Sequence, residues 1–159
     1  MSETSPAPSA TSEAPVAPVG SRENPLPVGQ VLAFNPGSAF QVGASGPTQI
    51  TPTYAVLPLT VQVDWASIKQ QFPGEQSPAF TPWSNLLVSF VTAAGKSYST
   101  MDDYTVEIEN DLYKIGDVYE GTDIVQANVP VSVPEAEVTG GSWLIANSSS
   151  GDKVFVAVQ

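Results

Sequence analysis

Residues 104–159 read YTVEIENDLYKIGDVYEGTDIVQANVPVSVPEAEVTGGSWLIANSSSGDKVFVAVQ, and this stretch decides the fold. Val125, Ala127, Val129, Val131 and Val133 fall at every second position, with Gln126, Asn128 and Ser132 between them. A period of two puts the apolar set on one face of a β-strand and the polar set on the other. Trp143–Asn147 and Val154–Val158 are two further strand candidates, each bounded by Gly or Ser clusters. The long valine strand is expected to be central to one sheet. Pro130 cannot donate to a ladder, so an edge or a bulge is expected there. Tyr104, Val106 and Ile108 alternate with Thr105, Glu107 and Glu109 as another strand, and Gly140-Gly141 is expected to close a hairpin.

Strands of this kind need partners, and the preceding residues supply them. In Tyr54–Trp65, Leu57, Leu59, Val61, Val63 and Trp65 face one way, while Pro58, Thr60, Gln62 and Asp64 face the other. Burying five such side chains contributes about 8–15 kcal/mol before chain entropy offsets most of it. Leu86, Val88 and Phe90 are in phase in Asn85–Thr92, and Ala93-Ala94-Gly95-Lys96 is a hairpin turn into a returning strand. Val31–Phe34 is a short first strand. Gly43, Gly46 and Pro47 break the Phe40–Ile50 region into a bulged or interrupted one. Pro25 and Pro27 hold residues 21–29 extended, as a lead-in that lies along a sheet edge without joining it fully. Residues 66–84 are the longest candidate loop, with one helical turn over Ala66–Gln71.

Fifteen prolines and twelve glycines in 159 residues leave no sustained helical stripe, so the expected class is all-β, an antiparallel two-sheet sandwich with a single core. Residues 1–20 contain no aromatic side chain and are expected to form a disordered Pro/Ala/Ser-rich spacer, with the folded domain at 21–159. Pro15-Val16-Ala17-Pro18 fits a PxxP ligand, but the composition favours prolines that simply stiffen a linker.

Five Lys+Arg against sixteen Asp+Glu give a net charge of −11, a surface that repels phosphate backbones and anionic lipids. Nucleic acid is therefore not an expected partner. With no cysteine and no histidine, thiolate nucleophiles, disulfides, the usual neutral-pH base and the commonest metal ligands are all missing. No run of eighteen apolar residues is present.

Five segments occur in a characteristic order: SRENPLPVG (21–29), YAVLPLTVQVDW (54–65), TPWSNLLVSFVTAAGKSYS (81–99), DLYKIGDVYEGTDIVQANVPVSVP (111–134) and KVFVAV (153–158). Together they resemble the immunoglobulin-like (telokin-like) domain family of unknown function found in secreted lipoproteins of Gram-positive, especially actinobacterial, bacteria. The same sandwich class includes a small secreted mycobacterial immunogenic protein. The resemblance spans 21–159 and implies an immunoglobulin-like sandwich, an extracellular or cell-surface location, and a signal or anchor upstream of Met1. It implies no catalytic residues. Two departures stand out. Gln49–Tyr54 is shorter than the Asn- and Pro-rich segment many members carry there. Where many members have a cysteine pair, this chain has Met101 and Val129 or Val131.

Three groups of residues are candidates for chemistry. Asp102, Asp103, Glu107, Glu109 and Asp111 lead a run of eight carboxylates in twenty-two residues, the oxygen-rich setting that Ca²⁺ uses. The EF-hand order is not met, and the same residues also read as a solvated acidic face. Phe72, Phe80 and Trp83 gather in the 66–84 loop, where exposed rings stack on a sugar or anchor a partner and buried ones cap the core. Paired carboxylates for glycoside hydrolysis need a cleft that a sandwich this small has little room to form. Ser67-Ile68-Lys69 has the wrong spacing for a Ser–Lys nucleophile. The expectation is a non-catalytic, envelope-tethered binding or accessory module, its partner another envelope or host protein. The alternatives are a structural or antigenic domain without a ligand and, third, a hydrolase.

Overall fold

The computed structural model describes residues 17–34, 38–99 and 107–159. In chain order the elements are β1 (Leu32–Ala33), β2 (Phe40–Ala44), β3 (Gln49–Ile50), β4 (Ala55–Val63), α1 (Trp65–Gln71), β5 (Ala79–Phe80), α2 (Pro82–Asn85), β6 (Leu86–Val91), β7 (Ser97–Ser99), β8 (Val118–Tyr119), β9 (Ile124–Val131), β10 (Ser142–Asn147) and β11 (Lys153–Ala157). Short 3₁₀ turns lie at Leu112–Lys114 and Glu135–Glu137.

The expected sandwich is present. One sheet is centred on β4, flanked by β9 on one side and by β2 and β3, with β1 beyond β2, on the other. The second runs β11-β10-β6-β7, and every pairing within the two sheets is antiparallel. Their inner faces share one core. Leu57, Leu59, Val61, Val125, Ala127 and Val129 from the first sheet join Leu86, Val88, Phe90, Trp143, Ile145 and Val156 from the second. The alternating residues of β4, β6 and β9 are buried as their period requires.

Both prolines inside strands lie where a missing N–H costs least. The carbonyl of Pro58 accepts from the Ser45 amide at 2.9 Å, so its backbone faces β2 and β3. Opposite it the partner strand is broken. Ala44 pairs with Leu59 and Gln49 with Val56, so four residues bulge across two. The interruption expected from Gly46 and Pro47 is thus matched by a central-strand proline with no donor to offer. Pro130 pairs with Val56, but its backbone faces away from β4, on the same side as the Asn128 amide, which donates to Asn110 O at 2.8 Å. Accordingly β9 is an edge strand and not the central one expected. Only an isolated bridge, Asp111 to Asn128, covers its outer side among the described residues.

The lead-in behaves as expected. Leu26 donates to Phe155 O at 2.8 Å and accepts from Ala157 N at 2.9 Å in a single parallel bridge to β11. It then crosses to the other sheet, where Gly29 N donates to Ala44 O at 2.8 Å. A Cβ on Gly43 would lie 1.9 Å from Gln30 O, so only glycine lets the two backbones cross. Two expectations are corrected. Gly20 is buried, donates to Asn24 O and accepts from Phe155 N, and Ala17 O accepts from the Asn24 amide, so 17–20 belong to the domain rather than to the spacer. Gly140-Gly141 closes no hairpin: it carries the chain from β9 in one sheet to β10 in the other. Tyr104, Val106 and Met101 lie outside the described residues, and Ile108 is in no strand.

Candidate functional site

The 66–84 segment is more ordered than a loop. Asp64 caps α1 by accepting from Ser67 N at 3.2 Å and from Ser67 Oγ at 3.0 Å. Trp65 opens the helix instead of ending β4, and its indole donates to Thr122 O at 2.9 Å. Beyond α1 the chain forms β5, which pairs with β8 as a small two-stranded sheet. Lys69 with Glu120, and Thr81 Oγ1 donating to Asp117 Oδ1 at 2.5 Å, tie the same two segments together by side chains.

This arrangement separates the three aromatics grouped in sequence. Phe80 is only 3% exposed, its ring 5.1 Å from that of Phe40, which in turn meets Phe34 edge-on at 5.5 Å. It caps the core and is not available to a partner, which corrects its candidacy as an anchor. Phe72 ends α1 with 53% of its surface exposed, in keeping with a loop tip. Trp83 is 48% exposed and lies elsewhere, against the outer face of β6.

Trp83 stands on a rigid support. Pro82 starts α2 with the fixed φ that a first helical turn needs. Ser84 Oγ and Asn85 Nδ2 both donate to Thr81 O, at 3.1 and 2.7 Å. From the β10–β11 turn, Ser148 Oγ donates to Ser84 O at 2.7 Å and Ser148 N to Asn85 O at 3.0 Å. Below the indole, β6 turns Leu86 and Val88 inward and Leu87 outward, leaving Leu87 61% exposed. Ser89 pairs with Ser99 on the same outer face, and Tyr113 closes the far wall. The result is an open groove of about 600 Å³ with Trp83 and Leu87 as its exposed apolar surface. That volume is within the range of small-ligand sites.

No family model, no curated protein and no solved structure matches this chain. The groove therefore has to be interpreted from its own chemistry.

The acidic run does not assemble a site among the described residues. Glu107 and Glu109 are exposed and in no strand, and Glu107 lies 3.8 Å from Lys114. Asp111 is buried and caps the 3₁₀ turn, accepting from Tyr113 N at 3.0 Å. Asp102 and Asp103 lie outside the described residues. Among the described residues, no three acidic side chains come together in a way that could hold a cation.

Sequence reasoning passed over Leu87, Tyr113 and the serines of the groove. One signal was available: Leu87 is an apolar residue at a solvent-facing position of an alternating strand. Tyr113 carried none, because its proximity to β6 depends on packing between segments far apart in sequence.

Proposed function

We propose that this chain is a non-catalytic binding module of a bacterial cell surface, and that the Trp83–Leu87 groove is its binding surface. The observation that carries the reading is the exposure of both side chains in one groove on a hydrogen-bonded frame. Large apolar side chains on a soluble domain are normally scattered, and a paired, rigidly supported set marks an interaction site. The cell-surface setting rests on the resemblance to immunoglobulin-like lipoprotein domains, with the N-terminal Pro/Ala/Ser-rich segment as a spacer between the domain and its anchor. A chain without histidine or cysteine has few means of acid–base or thiol chemistry, which favours binding over catalysis.

The test is retention of Gram-positive cell-envelope material on the immobilised protein. Wild type and Phe72→Ala are expected to retain the same component, and Trp83→Ala/Leu87→Ser to lose it. Equal retention by all three, or by none, would overturn the groove and leave the structural or antigenic role.

A further inference from the structure

The apolar surface at Trp83 continues beyond β6. On the outer face of the second sheet, Leu87 stands beside Ala146 of β10, and one row along Leu144 stands between Ser89 and Phe155 of β11. Trp143, Ile145, Val154 and Val156 point into the core, so Leu144, Ala146 and Phe155 point outward, and each is half-buried. An antiparallel sheet with one face on the core usually turns polar residues outward. The first sheet largely does so, with Thr60, Gln62, Gln126 and Asn128. The second instead carries an apolar band from Trp83 and Leu87 across three strands.

The size of this band decides between partners. Strands β6, β10 and β11 contribute six, six and five residues. At about 4.8 Å between strands and about 3.3 Å per residue, the footprint is about 14 Å by 20 Å, or roughly 280 Å². Even doubled for surface relief, that falls short of the roughly 800 Å² per partner of a stable interface between folded domains. Two copies of this chain would also each bring a net charge of −11. An extended segment of about six residues matches the band in length.

Charge gives the segment a sign and a direction. The 107–117 stretch, which supplies Tyr113 to the far wall of the groove, carries exposed Glu107, Glu109 and Asp117 against Lys114. Asp117 lies at the start of α2, accepting from Thr81 Oγ1 two residues before Trp83. Glu107 lies 3.8 Å from Lys114, an exposed pair that a ligand cation can replace at little cost. Exposed Lys153 stands at the opposite, β11 end of the band.

Resting on the binding role proposed above, we infer that the groove takes a short extended polypeptide segment, apolar along most of its length and basic at one end. Its aliphatic side chains lie over Leu144 and between Leu87 and Trp83, and its lysines or arginines reach the Glu107 and Asp117 side.

Capped hexapeptides with two lysines at one end and four aliphatic residues at the other, in both chain directions, are titrated into the full-length protein by calorimetry. Tryptophan emission is followed in parallel, and a blue shift reports on Trp83 because Trp65 and Trp143 are buried. At least one peptide should bind with a dissociation constant of about 0.1 mM, weakening as salt is added. Trp83→Ala and Leu87→Ser should each weaken it by about tenfold, while Phe72→Ala matches wild type. Asp117→Asn keeps an acceptor for Thr81 and should weaken binding by about twofold to fivefold. Analogues with glutamate for lysine, or serine for the aliphatic residues, should not bind. Binding that survives Trp83→Ala and Leu87→Ser is charge attraction alone and overturns the assignment. Equal binding of the glutamate analogue does the same, as does no binding by either lysine peptide. A Trp83-dependent dimer in sedimentation equilibrium would put a second copy on the band and also overturn it.

Envelope material separates this failure from failure of the binding role. Groove-dependent retention that protease abolishes, and that the lysine peptide but not its glutamate analogue displaces, supports the basic segment. Retention that survives protease, or that the lysine peptide cannot displace, keeps the groove and removes the segment. Absence of groove-dependent retention removes both.

Discussion

The two faces of β6 differ more than those of any neighbouring strand. Inward, Leu86, Val88 and Phe90 are at most 4% exposed, and the Phe90 ring meets Trp143 edge-on at 5.2 Å. Outward, Leu87 lies open beneath Trp83. The same residue types on one strand therefore do two jobs. Packing against a second sheet turns apolar area into stability, whereas apolar area that meets no second sheet adds none and is open to a ligand.

Truncating one side chain on each face tests that difference most directly. Phe90→Ala is expected to cost about 3–5 kcal/mol, because it removes a fully enclosed ring and leaves a cavity. Leu87→Ser should change stability by no more than about 0.5 kcal/mol. Urea unfolding of both variants measures the contrast. Comparable losses would mean that Leu87 is held as firmly as the core.

Overfilling the inner face tests how closely it is packed. A Cβ on Gly141 would lie 2.5 Å from a Phe90 ring carbon and 2.7 Å from Val91 O. Gly141→Ala is expected to lower stability by about 1–3 kcal/mol, with the ring forced off its place against Trp143. Near-ultraviolet circular dichroism should register the disturbed pair. A change in stability without a change in that signal would locate the strain elsewhere.

Polar satisfaction on the inner face is the next step down. The Trp143 indole donates to Thr48 Oγ1 at 2.8 Å, and the bulge between β2 and β3 is what brings Thr48 there, its amide donating to Val158 O. Thr48→Val leaves the buried N–H without its acceptor, at an expected cost of about 1–3 kcal/mol. Trp143→Phe in the same background should then cost less than it does in wild type, because the orphaned donor has gone. A double-mutant cycle by urea unfolding measures this coupling.

These comparisons also show what the sequence made legible. The buried faces of β4, β6 and β9 follow from side-chain period alone, because alternation records which face meets the core. The edge position of β9 was half visible: Pro130 required an edge or bulge, but the side on which β4 lies could not be read from one strand. Phe72, Phe80 and Trp83 share a proline-rich neighbourhood, and nothing local separates them. Their fates diverge because β5 pairs with β8 almost forty residues later, drawing Phe80 beneath Phe40. The groove was least legible for the same reason. Its walls come from α2, β6, β7 and the turn at Tyr113, and only Leu87 broke a pattern.

The smallest effect lies at the rim of the second sheet. Lys96 sits over the Tyr98 ring, 4.7 Å from its centre, and Tyr98 Oη donates to both Glu137 oxygens at 2.9 and 3.0 Å. Tyr98 holds Lys96 above its ordinary 10.5, through hydrogen bonding first and electrostatic attraction second; burial opposes this, and Glu137 adds to it least. A raised folded value means that the folded state favours the protonated lysine. The stabilisation is fully present below pH 10.5 and is lost as pH rises through the folded value. Lys96→Met should thus differ slightly from wild type at neutral pH, and the difference should shrink in strong alkali. Thermal unfolding from pH 7 to pH 12 measures it, and a gap that widened with pH would mean that the cation does not favour the fold. Because the ion is fully exposed, the effect should also fade with added salt, unlike the losses at Phe90 and Gly141, which arise from packing and should not respond to screening.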